Sequence, residues 1–100
     1  MGWAATYILA LMRGEAVQFR PRGRSMEPRI KSGHLCTVVP VLAADVRIDD
    51  IVLCHVGGAE YLHLVKAVDS AKGKFLIGNN GGHINGWTAT IYGRCTKIEP

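Results

Sequence analysis

The chain has no apolar run long enough to cross a bilayer as a helix, a span that takes about 20 residues. Its apolar N-terminal stretch, Trp3 to Met12, is half that length and is interrupted by Arg13 and Gly14. No basic segment precedes the stretch and no clear cleavage signature follows it, which argues against a secretory leader. Cysteine is scarce: Cys36, Cys54 and Cys95 lie far apart, each in a strand-like apolar run. An odd number without close spacing argues against a disulfide framework and for a reducing, cytoplasmic setting, with the thiols acting as small buried hydrophobes. Paired Cys/His spacing is missing as well, so neither metal nor cofactor is expected. There are no repeats, no low-complexity segment and no inter-domain linker. No recognition helix or aromatic ladder accompanies the basic residues, which makes nucleic acid an unlikely partner.

What is present fits a single domain. One hundred residues, 48% hydrophobic and 20% charged, support one core and are too few for two. The net charge of +4 is unevenly placed. Arg20, Arg22, Arg24 and Arg29 fall between Arg13 and Lys31, opposed only by Glu15 and Glu27. Such a stretch suits an acidic peptide, an anionic surface or nucleic acid, or simply forms a solvated face.

The hydrophobic pattern predicts a short helix followed by strands. Trp3, Tyr7, Ile8 and Leu11 share one side at helical spacing, and Gly14 is a C-terminal stop. Ala5, Leu9 and Met12 leave the other side apolar. The helix therefore needs cover from its own domain, from a second copy or another partner protein, or from a membrane surface. From Val17 onward the pattern is one of short strands: Val17 to Phe19, His34 to Val39, Ile51 to Val56, Glu60 to Val68, Phe75 to Ile77 and Ile91 to Ile98. Gly57-Gly58 reads as a hairpin, Ser70 to Gly73 as a second turn, and Asn85-Gly86 as a tight turn in a Gly/Asn stretch. The expected fold is mainly β: a small barrel or sandwich after one short helix, with residues 1–16 as helix and connection and 17–100 as the β domain.

Two features carry chemistry. Gly23-Arg24-Ser25-Met26-Glu27-Pro28 presents a serine on a stiff loop, because Gly23 allows unusual backbone angles and Pro28 fixes its own φ. In Tyr61 to Val68, uninterrupted alternation places Lys66 on one face with Leu62, Leu64 and Val68. Burial there favours the neutral amine, the form that acts as a base near neutral pH. Serine activated by lysine is a known variant of nucleophilic catalysis.

From about Val17 to the end, the chain resembles the Ser-Lys peptidase superfamily that includes LexA-like repressors and type I signal peptidases. Gly23 to Pro28 resembles the nucleophile motif, Ile48-Asp49-Asp50-Ile51-Val52 the strand that follows it, Leu64-Val65-Lys66 the lysine strand, and Gly78-Asn79-Asn80 the closing turn. Asn79 stands where signal peptidases carry an aspartate, and Gly81 where they carry an arginine. The resemblance implies a small LexA-like or signal-peptidase-like β fold with Ser25 as nucleophile and Lys66 as general base. It also implies a site shaped by Gly23, Met26, Pro28, Asn79 and Asn80. His83 and Trp87 are further candidates to line a substrate groove. The 100 residues hold neither the DNA-reading domain and self-cleavage segment of the repressors nor the transmembrane anchor of the signal peptidases. A compact bacterial or phage member is expected, cleaving a peptide bond in another protein. The alternative is an idle module of the same fold that binds a peptide or repressor.

Overall fold

The structure, a computed structural model, describes residues 2–100, so Met1 of the N-terminal segment lies outside the described residues. The helix α1 spans Ala5–Met12. Gly14, at φ 83°, ends it. There its N–H donates to the Leu11 carbonyl at 3.0 Å, and the Glu15 N–H donates to the Ala10 carbonyl at 3.0 Å. A residue with a Cβ is strained at this φ, so the glycine stop read from sequence has a conformational cause. Ala4 and Leu11 are fully buried, with Tyr7 and Ile8 packed beside them, whereas Leu9 and Met12 stay exposed. The domain therefore covers the Tyr7, Ile8 and Leu11 side of its own helix. No helix among the described residues is long and apolar enough to cross a membrane.

Seven strands follow: β1 (Val17–Phe19), β2 (Leu35–Val39), β3 (Ile51–Val56), β4 (Ala59–Asp69), β5 (Lys74–Gly78), β6 (Ile84–Thr88) and β7 (Thr90–Glu99). They form one antiparallel sheet in the order β1-β2-β7-β3-β4-β5-β6. The mainly β class with one short N-terminal helix is thus as expected. The sheet is not closed into a barrel, and β1 and β6 are its edges. Gly57 and Gly58, at φ 59° and 85°, make the two-residue β3–β4 turn, which needs positive φ at both positions. Asn85-Gly86 is not a turn. It lies inside β6, a strand that the Gly/Asn composition concealed, and the chain reverses instead at Asn79–His83, where the Asn79 N–H donates to the His83 carbonyl at 2.9 Å.

Side chains alternate from β3 into two apolar clusters. Ile51 and Leu53 join Leu62, Leu64, Phe19 and Leu11 in the first, while Val52, Cys54 and Val56 join Val65, Phe75 and Ile77 in the second. Strand β4 alternates as far as Val65 and then slips. Val65 pairs with Ile77 and Ala67 with Leu76, leaving Lys66 as the extra residue of a bulge. A bulge reverses the parity of every residue beyond it. Val68 consequently packs with Val65 in the second cluster and does not share a face with Leu62 and Leu64.

The helix reaches the sheet over Gly93. A Cβ there would stand 2.7 Å from the Val39 carbonyl oxygen, 2.8 Å from Val38 Cγ1 and 3.1 Å from Leu11 Cδ2. We predict that Gly93→Val lowers unfolding free energy by about 1–3 kcal/mol through overpacking. Met12→Ser, on the exposed side of the helix, changes it by less than about 0.5 kcal/mol. Urea unfolding midpoints of the two variants check both values.

Candidate active site

The loop that carries Ser25 is pinned from three directions. Met26 and Ile30 are buried in the first apolar cluster and hold the loop to the core. Arg29 Nη2 contacts both carboxylate oxygens of Asp49 at 3.0 Å. From the β5–β6 turn, the Asn80 N–H donates to the Ser25 carbonyl at 3.0 Å, and Asn80 Nδ2 donates to the Glu27 carbonyl at 2.8 Å. Gly23, at φ 97°, lets the chain turn into this loop, and the Glu27–Pro28 peptide is cis. Ser25 itself remains exposed.

The residue that meets the Ser25 hydroxyl is His63. Ser25 Oγ lies 3.0 Å from His63 Nε2, and His63 Nδ1 lies 2.7 Å from Asn85 Oδ1. An amide oxygen can only accept, so Nδ1 carries the hydrogen. That fixes the tautomer in which the Nε2 lone pair faces the serine, and Ser25 O–H donates to it. The arrangement is nucleophile, base and orienting group in the order a triad requires. His63 is 6% exposed. Its ring is stacked on Tyr61 with centroids 4.9 Å apart and 28° between planes. Burial, the largest effect, holds the imidazole below its usual pKa; the bond it donates to Asn85 opposes this, and the electrostatic influence of His83 adds to the lowering. The neutral, proton-accepting form therefore persists to lower pH than it does for an unperturbed histidine.

Lys66, expected as the base, makes no side-chain hydrogen bond to Ser25 among the described residues. Lys66 sits at the β4 bulge, half-buried, with Cε 3.1 Å from where a Cβ on Gly78 would stand. Among the described residues the side-chain partner of Ser25 is His63. Lys66 lies three positions beyond His63, and the bulge between Val65 and Ala67 breaks the alternation on which the lysine reading rested. The other anticipated site residues divide. Gly23 and Met26 line the site, and Asn80 ties the nucleophile loop to the turn. Pro28 is exposed within the loop. Asn79 has a local task, its Oδ1 accepting from the N–H groups of Gly81 at 2.8 Å and His83 at 2.9 Å. Trp87, 50% exposed, lies on edge strand β6. Neither it nor His83 lines the groove described next, although His83 acts on His63 electrostatically.

That groove runs past Ser25 and has a volume of about 470 Å³. One wall is the segment Arg20 to Gly23 and the other is Glu60 to His63. Trp3, Tyr7 and Phe19 form an aromatic shelf, with Tyr7 stacked on Phe19 at 4.5 Å and Trp3 edge-on to Phe19 at 5.7 Å. The wall formed by β4 is special in its pairing. Register joins β4 to β3 from Ala59 to Leu64 but to β5 only from Leu64 onward. Ala59 to His63 are thus paired on one side only, beside the nucleophile.

Burial pushes the Cys36 and Cys54 thiols up to about 12, so neither ionises near neutral pH.

Three outcomes are expected. If His63 takes the serine proton, acylation of Ser25 by a serine-directed probe is expected to rise with pH through a midpoint below 6.5, because burial lowers the pKa of this histidine in the fold. Asn85→Asp places a carboxylate at Nδ1, which stabilises the imidazolium and moves the midpoint upward. Rates of probe labelling across the pH range check both. Asn80→Ala removes the bond to the Glu27 carbonyl and costs about 1 kcal/mol of stability, measured by urea unfolding, together with slower labelling as the loop loosens.

Compared with known proteins, the chain matches no family model, no curated protein and no solved structure.

Proposed function

We propose that the chain is a serine peptidase that cleaves a peptide bond in another protein, with Ser25 as nucleophile, His63 as general base and Asn85 as orienting residue. The observation that carries this reading is the relay Ser25 Oγ–His63 Nε2 and His63 Nδ1–Asn85 Oδ1 at 3.0 and 2.7 Å. The loop still supports kinship with the Ser-Lys peptidases that Gly23 to Pro28 resembles, with histidine in the place of lysine.

A substrate strand adds along the open side of Ala59 to His63, where backbone groups lack a partner strand. Its scissile carbonyl then lies beside Ser25. The Ser25 oxygen attacks the carbonyl carbon while its proton passes to His63 Nε2. Among the described residues the Ser25 N–H donates to no backbone carbonyl, which leaves it to stabilise the developing oxyanion. The imidazolium returns the proton to the departing amine, leaving an ester on Ser25. Water, deprotonated by the same imidazole, hydrolyses the ester and restores the hydroxyl.

The test is incubation of the purified chain with a mixture of unmodified proteins, followed by mass-spectrometric mapping of new N-termini. Cleavage is expected with the parent chain and with Lys66→Gln. Ser25→Ala abolishes it, and His63→Ala reduces it by about 10²–10⁴-fold, the usual worth of a positioned base. Cleavage that survives Ser25→Ala would sink the assignment. Absence of both cleavage and Ser25 acylation would favour the idle peptide-binding module.

A further inference from the structure

The charges around the groove are unbalanced in one place. Among the described residues Arg13 pairs with Glu15, Arg29 with Asp49 and Arg94 with Asp50. Arg20, Arg22 and Arg24 have no carboxylate partner, although all three are exposed and lie at alternate positions on the approach to Ser25. Arg20 and Arg22 line the groove itself. The one acidic residue in its lining, Glu60, is engaged by His55. Arg20 Nη1 donates to the Gly33 carbonyl, which leaves its charge uncancelled, so the groove combines an aromatic shelf with a wall of arginines that pair with no carboxylate among the described residues.

Resting on the peptidase reading, we propose that this wall selects the substrate: a peptide with an apolar side chain beside the scissile bond and an aspartate or glutamate a few residues away, held by Arg20 and Arg22. Arg22 is three residues from Ser25 and Arg20 is five. Fully extended, those separations span about 10 and 17 Å, so the acidic residue falls within about three to five substrate residues of the bond cut. Guanidinium groups suit this task because their forked donors match a carboxylate in two-point contact. The unpaired side of Ala59 to His63 decides between a peptide and nucleic acid, since only a polypeptide supplies the ladder hydrogen bonds that this edge lacks. Trp3, Tyr7, Phe19 and Leu62 receive the apolar side chain.

The experiment uses the Ser25→Ala chain, which binds without turnover, exposed to a library of random acetylated peptides, with retained peptides sequenced by mass spectrometry. Aspartate and glutamate are expected to be enriched about threefold or more over the input, the range of one or two exposed ion pairs, along with leucine and phenylalanine. Raising NaCl from about 50 to about 500 mM removes the acidic enrichment by screening. Arg20→Glu/Arg22→Glu in the same background, with its unfolding midpoint measured to establish folding, turns the preference to lysine and arginine while the apolar enrichment persists. The proposal is overturned if nothing is retained, if acidic residues are not enriched, if the preference ignores the charge reversal, or if a single-stranded oligonucleotide is held more tightly than any peptide. Acylation of Ser25 in the parent chain separates the two readings. Labelling without acidic enrichment removes the substrate preference alone. Acidic enrichment without labelling removes the peptidase and leaves an acidic-peptide groove.

Discussion

A buried imidazole bridging a loop serine and a strand asparagine makes severe demands on the rest of a small fold. Ser25, His63 and Asn85 are 38 and 22 residues apart in sequence, and hydrogen bonds of 3.0 and 2.7 Å tolerate little relative movement of their supports. Strand β4 supplies the fixed middle member, because His63 stands in the chain between buried Leu62 and Leu64 and is paired to Val52 of β3. The other two members come from irregular or edge structure. Each must be restrained by something other than a ladder on both sides. Met26, Ile30 and Asn80 restrain the serine. Pairing of β6 with β5 restrains the asparagine.

Two properties of the site share one origin in β4. The strand changes neighbours near His63, so its first half lies open along the groove and its second half is enclosed by β5. The open half leaves backbone ladder groups free along the groove. His63 ends that half, and its burial lowers the pKa of the imidazole and so favours the neutral form.

Much of the architecture was legible in the sequence because it rests on local signals. A nearly continuous apolar run marked β3, the paired glycines marked its hairpin, and Gly14 marked the end of the helix. The exposed loop that carries Ser25 was legible too, from Gly23 and Pro28 on either side of it. The serine's partners were not. Reading Lys66 as the base assumed uninterrupted alternation along Tyr61 to Val68, and no residue in that run announces a bulge. His63 was visible as a polar residue in an apolar run, three positions upstream, yet strand parity alone does not tell which of two basic residues faces a distant loop. Asn85 was hidden by its neighbour. Asparagine before glycine is a strong turn signal, and here the tertiary pairing of Gly86 with Ile77 overrides it.

The two bonds from Asn80 to the nucleophile loop tie together segments that contribute opposite ends of the relay. Asn80 opens the turn that leads into β6 and therefore into Asn85, while its N–H and side chain grip Ser25 and Glu27. The loop and the turn consequently form a single opening unit, in which the serine cannot drift from the histidine without straining the support of the asparagine. Local fluctuations of such a domain are not independent breathing motions of separate loops. Here the disengaged state would lose nucleophile and orienting group together, and the site would pass between assembled and disassembled forms with few half-built intermediates.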